Sequence, residues 1–301
     1  MILTVTYNPA VDQTLRFDQA LEPGEEVRTD SQRFDAAGKG VNVTKYLEGL
    51  GTESAATGPV GGFTGRFMRS ELDEEGVEHD FVDIEDVTRM NTSVLAPEGH
   101  YKLDHAGPRL SGDVVDEILN RAERREPEKV VVSGSLPPGL GPEAVDALAG
   151  GDWRTVVDLH GDVLGSLDSD YFLCKPNREE LEEATGREVG TVEDVVEAAS
   201  ALGDMGFRMV LASLGEEGAV LVTPGERLYA PSLEVEVEDT VGAGDAILAG
   251  FLHALEQGLE ERDALKYGMA VSGVVVTVQG TGVPDFEDVE GRMSELDVER
   301  F

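Results

Sequence analysis

The chain has 301 residues, 40% of them hydrophobic, enough to bury the core of one large α/β domain. Its 61 Asp and Glu against 24 Lys and Arg give a formal net charge of −37, which argues against nucleic acid or anionic membranes as partners. The acids are spread along the whole length rather than gathered in blocks, so the charge belongs to a folded surface. Lys is scarce, with six against 18 Arg, and this favours adaptation to molar salt over an ordinary acidic protein.

A single cysteine, Cys174, supplies neither an internal disulfide nor a Cys-rich metal site, and the expectation is a cytoplasmic protein. The N-terminus lacks the basic start and apolar stretch of a signal peptide, and no run approaches about 18 apolar residues, so no membrane span is expected.

Strand-like Val/Ile/Leu runs fall at 2–7, 129–133, 155–158, 171–174, 209–212 and 219–222. Segments of helical period lie among them at 41–50, 64–75, 114–124, 143–148, 179–185, 192–202, 246–256 and 262–278. Such alternation predicts α/β layers, a mostly parallel central sheet flanked by helices. Two stretches, 13–34 and 82–104, carry β-favouring pieces with no helix of their own. They are expected to form a small β-sheet lid, non-contiguous in sequence, on a single domain spanning 1–301. Strands end at Asn8-Pro9, Gly134-Ser135, Asp158-Leu159-His160-Gly161 and Lys175-Pro176-Asn177, and in an open α/β sheet such ends line the ligand crevice.

The most informative segment is Asp239-Thr240-Val241-Gly242-Ala243-Gly244-Asp245, which runs into an apolar helical stretch. Small residues let the backbone approach a ligand, and the unpaired N–H groups of a helix start hold an anion such as a phosphate in transfer. Asp245 at that start serves either as a cap or as a base; the Gly-Ala-Gly before it favours a base beside a phosphate. A second glycine-rich turn, Ala36-Ala37-Gly38-Lys39-Gly40-Val41-Asn42, also leads into a helix. It is not a Walker loop, because Gly rather than Ser or Thr follows Lys39. No Gly-x-Gly-x-x-Gly follows the first strand, which removes dinucleotide-dependent redox chemistry.

Together these segments resemble the ribokinase-like, or phosphofructokinase-B, family of sugar kinases, whose signature is Asp-Thr-x-Gly-Ala-Gly-Asp before a helix. The resemblance covers residue 1 to about 285 and implies a ribokinase-like three-layer fold. It implies that Asp245 takes the proton of the acceptor hydroxyl while the amides of Gly242, Ala243 and Gly244 stabilise the transferring phosphoryl group. It places Gly38, Lys39, Gly40 and Asn42 at the acceptor, with Ala37 standing where the family has Gly. In Asn8-Pro9-Ala10-Val11-Asp12, Asp12 is implied to accept hydrogen bonds from sugar hydroxyls. Lys175-Pro176-Asn177-Arg178-Glu179-Glu180 is similar to the family's Lys-Pro-Asn-x-x-Glu: Lys175 near the nucleotide phosphates, and Asn177 and Glu180 placing Mg²⁺ through water. The same Asn-x-x-Glu spacing is a helix-start capping pattern, and both roles can coexist. Ser213, Gly215 and Gly218 resemble a turn over the nucleotide, and Ser133 lies in a strand-end loop of the phosphofructokinase branch.

Lys39, Arg89, Lys102 and Arg109 are candidates for an acceptor phosphate, because a dianion entering so negative a field needs local positive charge. The segment Arg89-Met90-Asn91-Thr92-Ser93 resembles the branch that phosphorylates already phosphorylated hexoses, which implies that Arg89 and Asn91 contact the substrate. The motif set is most similar to the 1-phosphofructokinase branch, which implies ATP as donor, Mg²⁺, and fructose 1-phosphate as acceptor. Tagatose-6-phosphate kinase and 6-phosphofructokinase are the alternatives, and a non-catalytic sugar or nucleotide sensor is the alternative of another class. The resemblance also implies a homodimer paired through the lid sheet.

Overall fold

The computed structural model describes residues 1–278, 280 and 282–301. Among them, nine strands form the main sheet: β1 (Ile2–Val5), β4 (Ser54–Thr57), β9 (Lys129–Ser133), β10 (Arg154–Asp158), β11 (Leu173–Cys174), β12 (Val210–Ser213), β13 (Ala219–Val222), β14 (Arg227–Ala230) and β15 (Glu299–Arg300). Their order is β15-β14-β13-β12-β11-β10-β9-β1-β4. From β4 to β12 every pair is parallel; β13, β14 and β15 add an antiparallel edge.

Side chains alternate across a strand, so each apolar run supplies two cores. Leu3, Val5, Val130, Val132 and Val210 point to the face covered by α3 (Gly112–Arg125), α4 (Glu143–Ala149), α6 (Arg178–Thr185) and α7 (Val192–Asp204). Ile2, Val131, Val156, Leu173 and Leu211 point the other way, onto α1 (Lys39–Gly49), α8 (Ala243–Glu256), α9 (Glu261–Val275) and α10 (Val289–Met293). The result is the expected three-layer α/β sandwich.

A second sheet, ordered β3-β2-β7-β8, joins β2 (Ala10–Arg16), β3 (Ser31–Ala37), β7 (Arg89–Ala96) and β8 (Gly99–Leu103). It starts at residue 10 rather than 13, because the chain enters it directly after β1. Val82–Asp83, expected in the same sheet, instead forms β6 and pairs with β5 (Pro59–Val60). Val11, Ala36 and Met90 at its root pack with Met68 and Leu72 of α2 (Gly62–Glu75).

Several expected boundaries move. The strand expected over 171–174 shrinks to two residues, with Tyr171 in an isolated bridge to Phe207, and the helix expected to 278 ends at Val275. The helices expected from 41 and 246 begin earlier, at Lys39 and Ala243, since glycine-rich turns open them. The short α5 (Gly161–Leu164), α10, β14 and β15 carry too few residues to show a period.

Candidate active site

Helix α8 starts under Gly242, whose backbone is left-handed at φ +79° and acts as the N-cap. Only glycine reaches that conformation without strain. Ala243 N donates 3.3 Å to the Thr240 carbonyl, and the amides that follow it open a helix whose dipole is positive at this end. Asp245 is the third helical residue and makes no capping hydrogen bond. Its carboxylate is 6% exposed and accepts a hydrogen bond of 2.8 Å from Asn42 Nδ2. Burial, and then the negative charge of Asp158, raise its pKa to about 6, against the opposing hydrogen bond from Asn42 and the charges of Lys39 and Lys175.

Asn42 and Lys39 come from α1, three residues apart and so on one face of the helix. Gly40 is needed because a side chain there would run into Thr6 at the end of β1, and the close approach lets α1 reach across to α8. Lys39 Nζ lies 2.9 Å from Asp158 Oδ1 and 3.5 Å from Glu180 Oε1. Lys175, one residue past β11, puts its Nζ 3.4 Å from the same Asp158 oxygen, and a Cβ built on Gly244 would stand 3.3 Å from it. Asp158 is fully buried; burial disfavours its charge, but Lys175 and Lys39 outweigh burial and hold its pKa below the usual carboxylate range. The same carboxylates offset the desolvation of Lys39 and raise its pKa.

Asp158 joins Lys39 to Lys175, a link that reading the chain missed. Its position as the last residue of a strand was the available signal. Ser133 sits beside it in register, buried, with its Oγ unpaired among the described residues.

Asn177 and Glu180 form a capping box at the start of α6: Asn177 Oδ1 accepts from Glu180 N, and Glu180 Oε2 from Asn177 N, both at 2.9 Å. Ser213 closes β12 and bridges to Asn177, followed by the tight turn from Gly215 to Gly218. Among the described residues no three His, Cys, Asp or Glu gather as a metal cage. Asp158, with one oxygen unpaired, and Glu180 suit a magnesium ion that keeps most of its waters.

At the root of the small sheet Asn91 donates 3.0 Å to Asp12 Oδ1, and burial raises the pKa of Asp12. Arg89 donates to the carbonyls of Asn8 at 3.1 Å and His105 at 2.9 Å, which draws the segment after β8 against β2. Asp12, Asn91 and Arg89 share one face of the sheet. Lys102 and Arg109 are exposed and outside the hydrogen-bonded cluster.

Asp245, the start of α8 and the lysine pair are carried by the sequence motifs that resemble a sugar-kinase family, and comparison with known proteins bears on that resemblance. Residues 5–288 match the family model described as "pfkB family carbohydrate kinase". The chain belongs to the pfkB family of carbohydrate kinases. Within that family it is similar to the 1-phosphofructokinase of Haloferax volcanii, at 53% identity over 290 residues, 96% of this chain and 95% of that protein. It is 32% identical to the D-tagatose-1-phosphate kinase of Bacillus licheniformis, covering 94% of each. Among solved structures, phosphofructokinase-2 from Escherichia coli in complex with potassium superposes with a TM-score of 0.90 at 28% identity, covering 98% of each chain. For a pfkB carbohydrate kinase, then, the strand ends and the α8 start described above coincide with the motifs that suggested the family.

Proposed function

We propose that this pfkB kinase transfers the γ-phosphoryl group of ATP to fructose 1-phosphate, giving fructose 1,6-bisphosphate. The observation that carries the reading is Asp245, buried at the start of α8 beside the Gly242–Gly244 amides and held by Asn42. The acceptor hydroxyl gives its proton to Asp245, whose raised pKa lets it take that proton near neutral pH. Phosphoryl transfer passes through a loose transition state, so amides fixed at the helix start do most of the electrostatic work. Lys175 lies on the donor side of Asp158 and Lys39 on the acceptor side. Asp12 and Asn91 orient sugar hydroxyls, and Arg89, with Lys102 and Arg109 at the rim, meets the sugar's phosphate. Ser133 and Gly38 line the acceptor pocket, and Ser213, Gly215 and Gly218 lie over the nucleotide. Asn177 and Glu180 would place a magnesium ion through water, with the free Asp158 oxygen as a further ligand, and when bound it would neutralise phosphate charge. The two curated relatives named above are described as acting on a fructose or tagatose 1-phosphate, which supports an acceptor phosphorylated at carbon 1.

The four-stranded sheet serves as a lid on a single kinase domain spanning 1–301. Its outer side carries Phe34, Tyr101 and Leu103, all exposed, which supports a second copy of the chain as their cover and hence a homodimer. A soluble, cytoplasmic enzyme adapted to high salt accords with the charge and with the absence, among the described residues, of a helix able to cross a membrane.

The test is a coupled assay with fructose 1-phosphate, fructose 6-phosphate, tagatose 1-phosphate, tagatose 6-phosphate and free fructose, in dilute and molar KCl. The expected preference is for fructose 1-phosphate. Turnover of free fructose with none of any hexose phosphate would overturn the reading, and no turnover at all would make the protein a sensor.

A further inference from the structure

Lys39, Asn42 and Tyr46 recur along α1 at spacings of three and four, so the helix turns all three toward the start of α8. The partners of the first two belong to the reaction: Lys39 holds Asp158, and Asn42 holds Asp245. Tyr46 is different. Its side chain is 0% exposed, and its hydroxyl has no hydrogen-bond partner among the described residues. Tyrosine is normally buried where its tip reaches a partner, and phenylalanine fills the same space without the desolvation penalty. A buried hydroxyl without a partner in the free protein therefore needs an explanation.

Its location supplies one. The Tyr46 hydroxyl lies directly under Gly242, where any Cβ would run into it. Gly242 is the left-handed residue that aims the first amides of α8. Burial, and then the charges of Asp245 and Asp239, hold the phenol protonated, so it retains a proton to donate.

We propose that Tyr46 is a positioning residue for phosphoryl transfer. Its ring supports the turn at Gly242, and its O–H, unpaired in the free protein, is taken up by the 239–242 turn when the phosphates of the nucleotide draw that turn into its working geometry. The cost of burying the hydroxyl is thus carried by the free protein and relieved in the loaded one, a ground-state penalty placed beside the reacting group. The proposal rests on the kinase reading above.

The experiment compares wild type with Tyr46→Phe, which deletes the oxygen and keeps the ring. It measures melting of the free protein, kcat and KM for fructose 1-phosphate, and the melting shift induced by an ATP analogue with a non-hydrolysable β,γ-bridge. The variant is expected to melt at or above wild type when free, to lose at least about fivefold in kcat with KM within twofold, and to show a smaller analogue-induced shift. A kcat within twofold of wild type overturns the proposal. So does a lower melting temperature of the free variant, since the hydroxyl then has a partner already. If wild type turns over no sugar phosphate, the kinase reading fails, and the analogue-induced shift alone decides on Tyr46: an unchanged shift overturns the role, a reduced one upholds it.

Discussion

At the scale of single residues, the proposed chemistry concentrates in one carboxylate, Asp245. Asp245→Asn keeps the shape and removes the base, so kcat is expected to fall at least about 100-fold. Ionised Asp245 is costly to bury: with its pKa raised from 3.8 to about 6, the folded protein binds more protons than the unfolded chain between those values, and stability falls as pH rises through that window. The same variant should therefore be more stable than wild type at pH 7, by about 2–3 kcal/mol on the linkage relation. Denaturant unfolding measures this; equal or lower stability would show that the charge is already compensated. The profile of kcat/KM should lose activity below about pH 6 as the base is protonated. Asn42→Ala removes the hydrogen bond that favours the carboxylate, so its acidic limb moves to higher pH. A limb that stays in place would show that Asn42 acts elsewhere.

Lys39→Ala touches both binding and folding at the same scale. A raised KM for the sugar phosphate is expected, together with some loss of stability, because Asp158 keeps its buried charge with Lys175 as its one remaining ammonium partner. Arg89→Ala should also raise KM, through the segment it ties to the small sheet. An unchanged KM in both variants would place the acceptor phosphate elsewhere.

Elements set where these residues meet. Helices α1 and α8 pack on the same face of the sheet, so residues 203 positions apart, Asn42 and Asp245, form a hydrogen bond. The start of α6 carries two duties, which mutation can separate. Asn177→Ala removes the cap and should cost about 1 kcal/mol, while Asn177→Ser keeps a cap and most of that stability. If both variants need equally raised Mg²⁺ for activity, the Asn side chain also serves the metal; if Ser behaves as wild type, the cap accounts for it. Some elements were legible from residues alone. The glycine pairs at the starts of α1 and α8 placed both helix starts to within two or three residues, because a turn that must closely approach a neighbouring strand excludes side chains. The edge strands β14 and β15 were not legible: four- and two-residue segments show no period, and only pairing with β13 makes them strands.

For the whole molecule the dominant quantity remains the net charge of −37. Screening reaches about 10 Å at 0.1 M salt and about 3 Å at 1 M, so self-repulsion that weakens the fold in dilute buffer should fade in molar KCl. The melting temperature is expected to rise steadily across that range; a steady fall would dismiss the salt adaptation. Locally, the structure sharpens the charge argument. The two lysines stand among three carboxylates, Asp158, Glu180 and Asp245, so the cluster is not positive in itself. On the proposed function, the transferring phosphate would then be met mainly by helix-start amides and by a cation bound with ATP.

The sequence by itself determined the layered α/β class, the glycine turns and the family, because these rest on local period and on backbone conformations that few residues adopt. The roles of Asp158 and Tyr46 needed the fold. Asp158 reads as one more carboxylate among 61 acids until the parallel sheet brings Lys39 and Lys175 to it from 119 residues before and 17 after. Tyr46 reads as one more helix residue facing a core. Only the packing of α1 against α8 puts its hydroxyl under Gly242, since contact across such distances in the chain is a property of topology rather than of any local pattern.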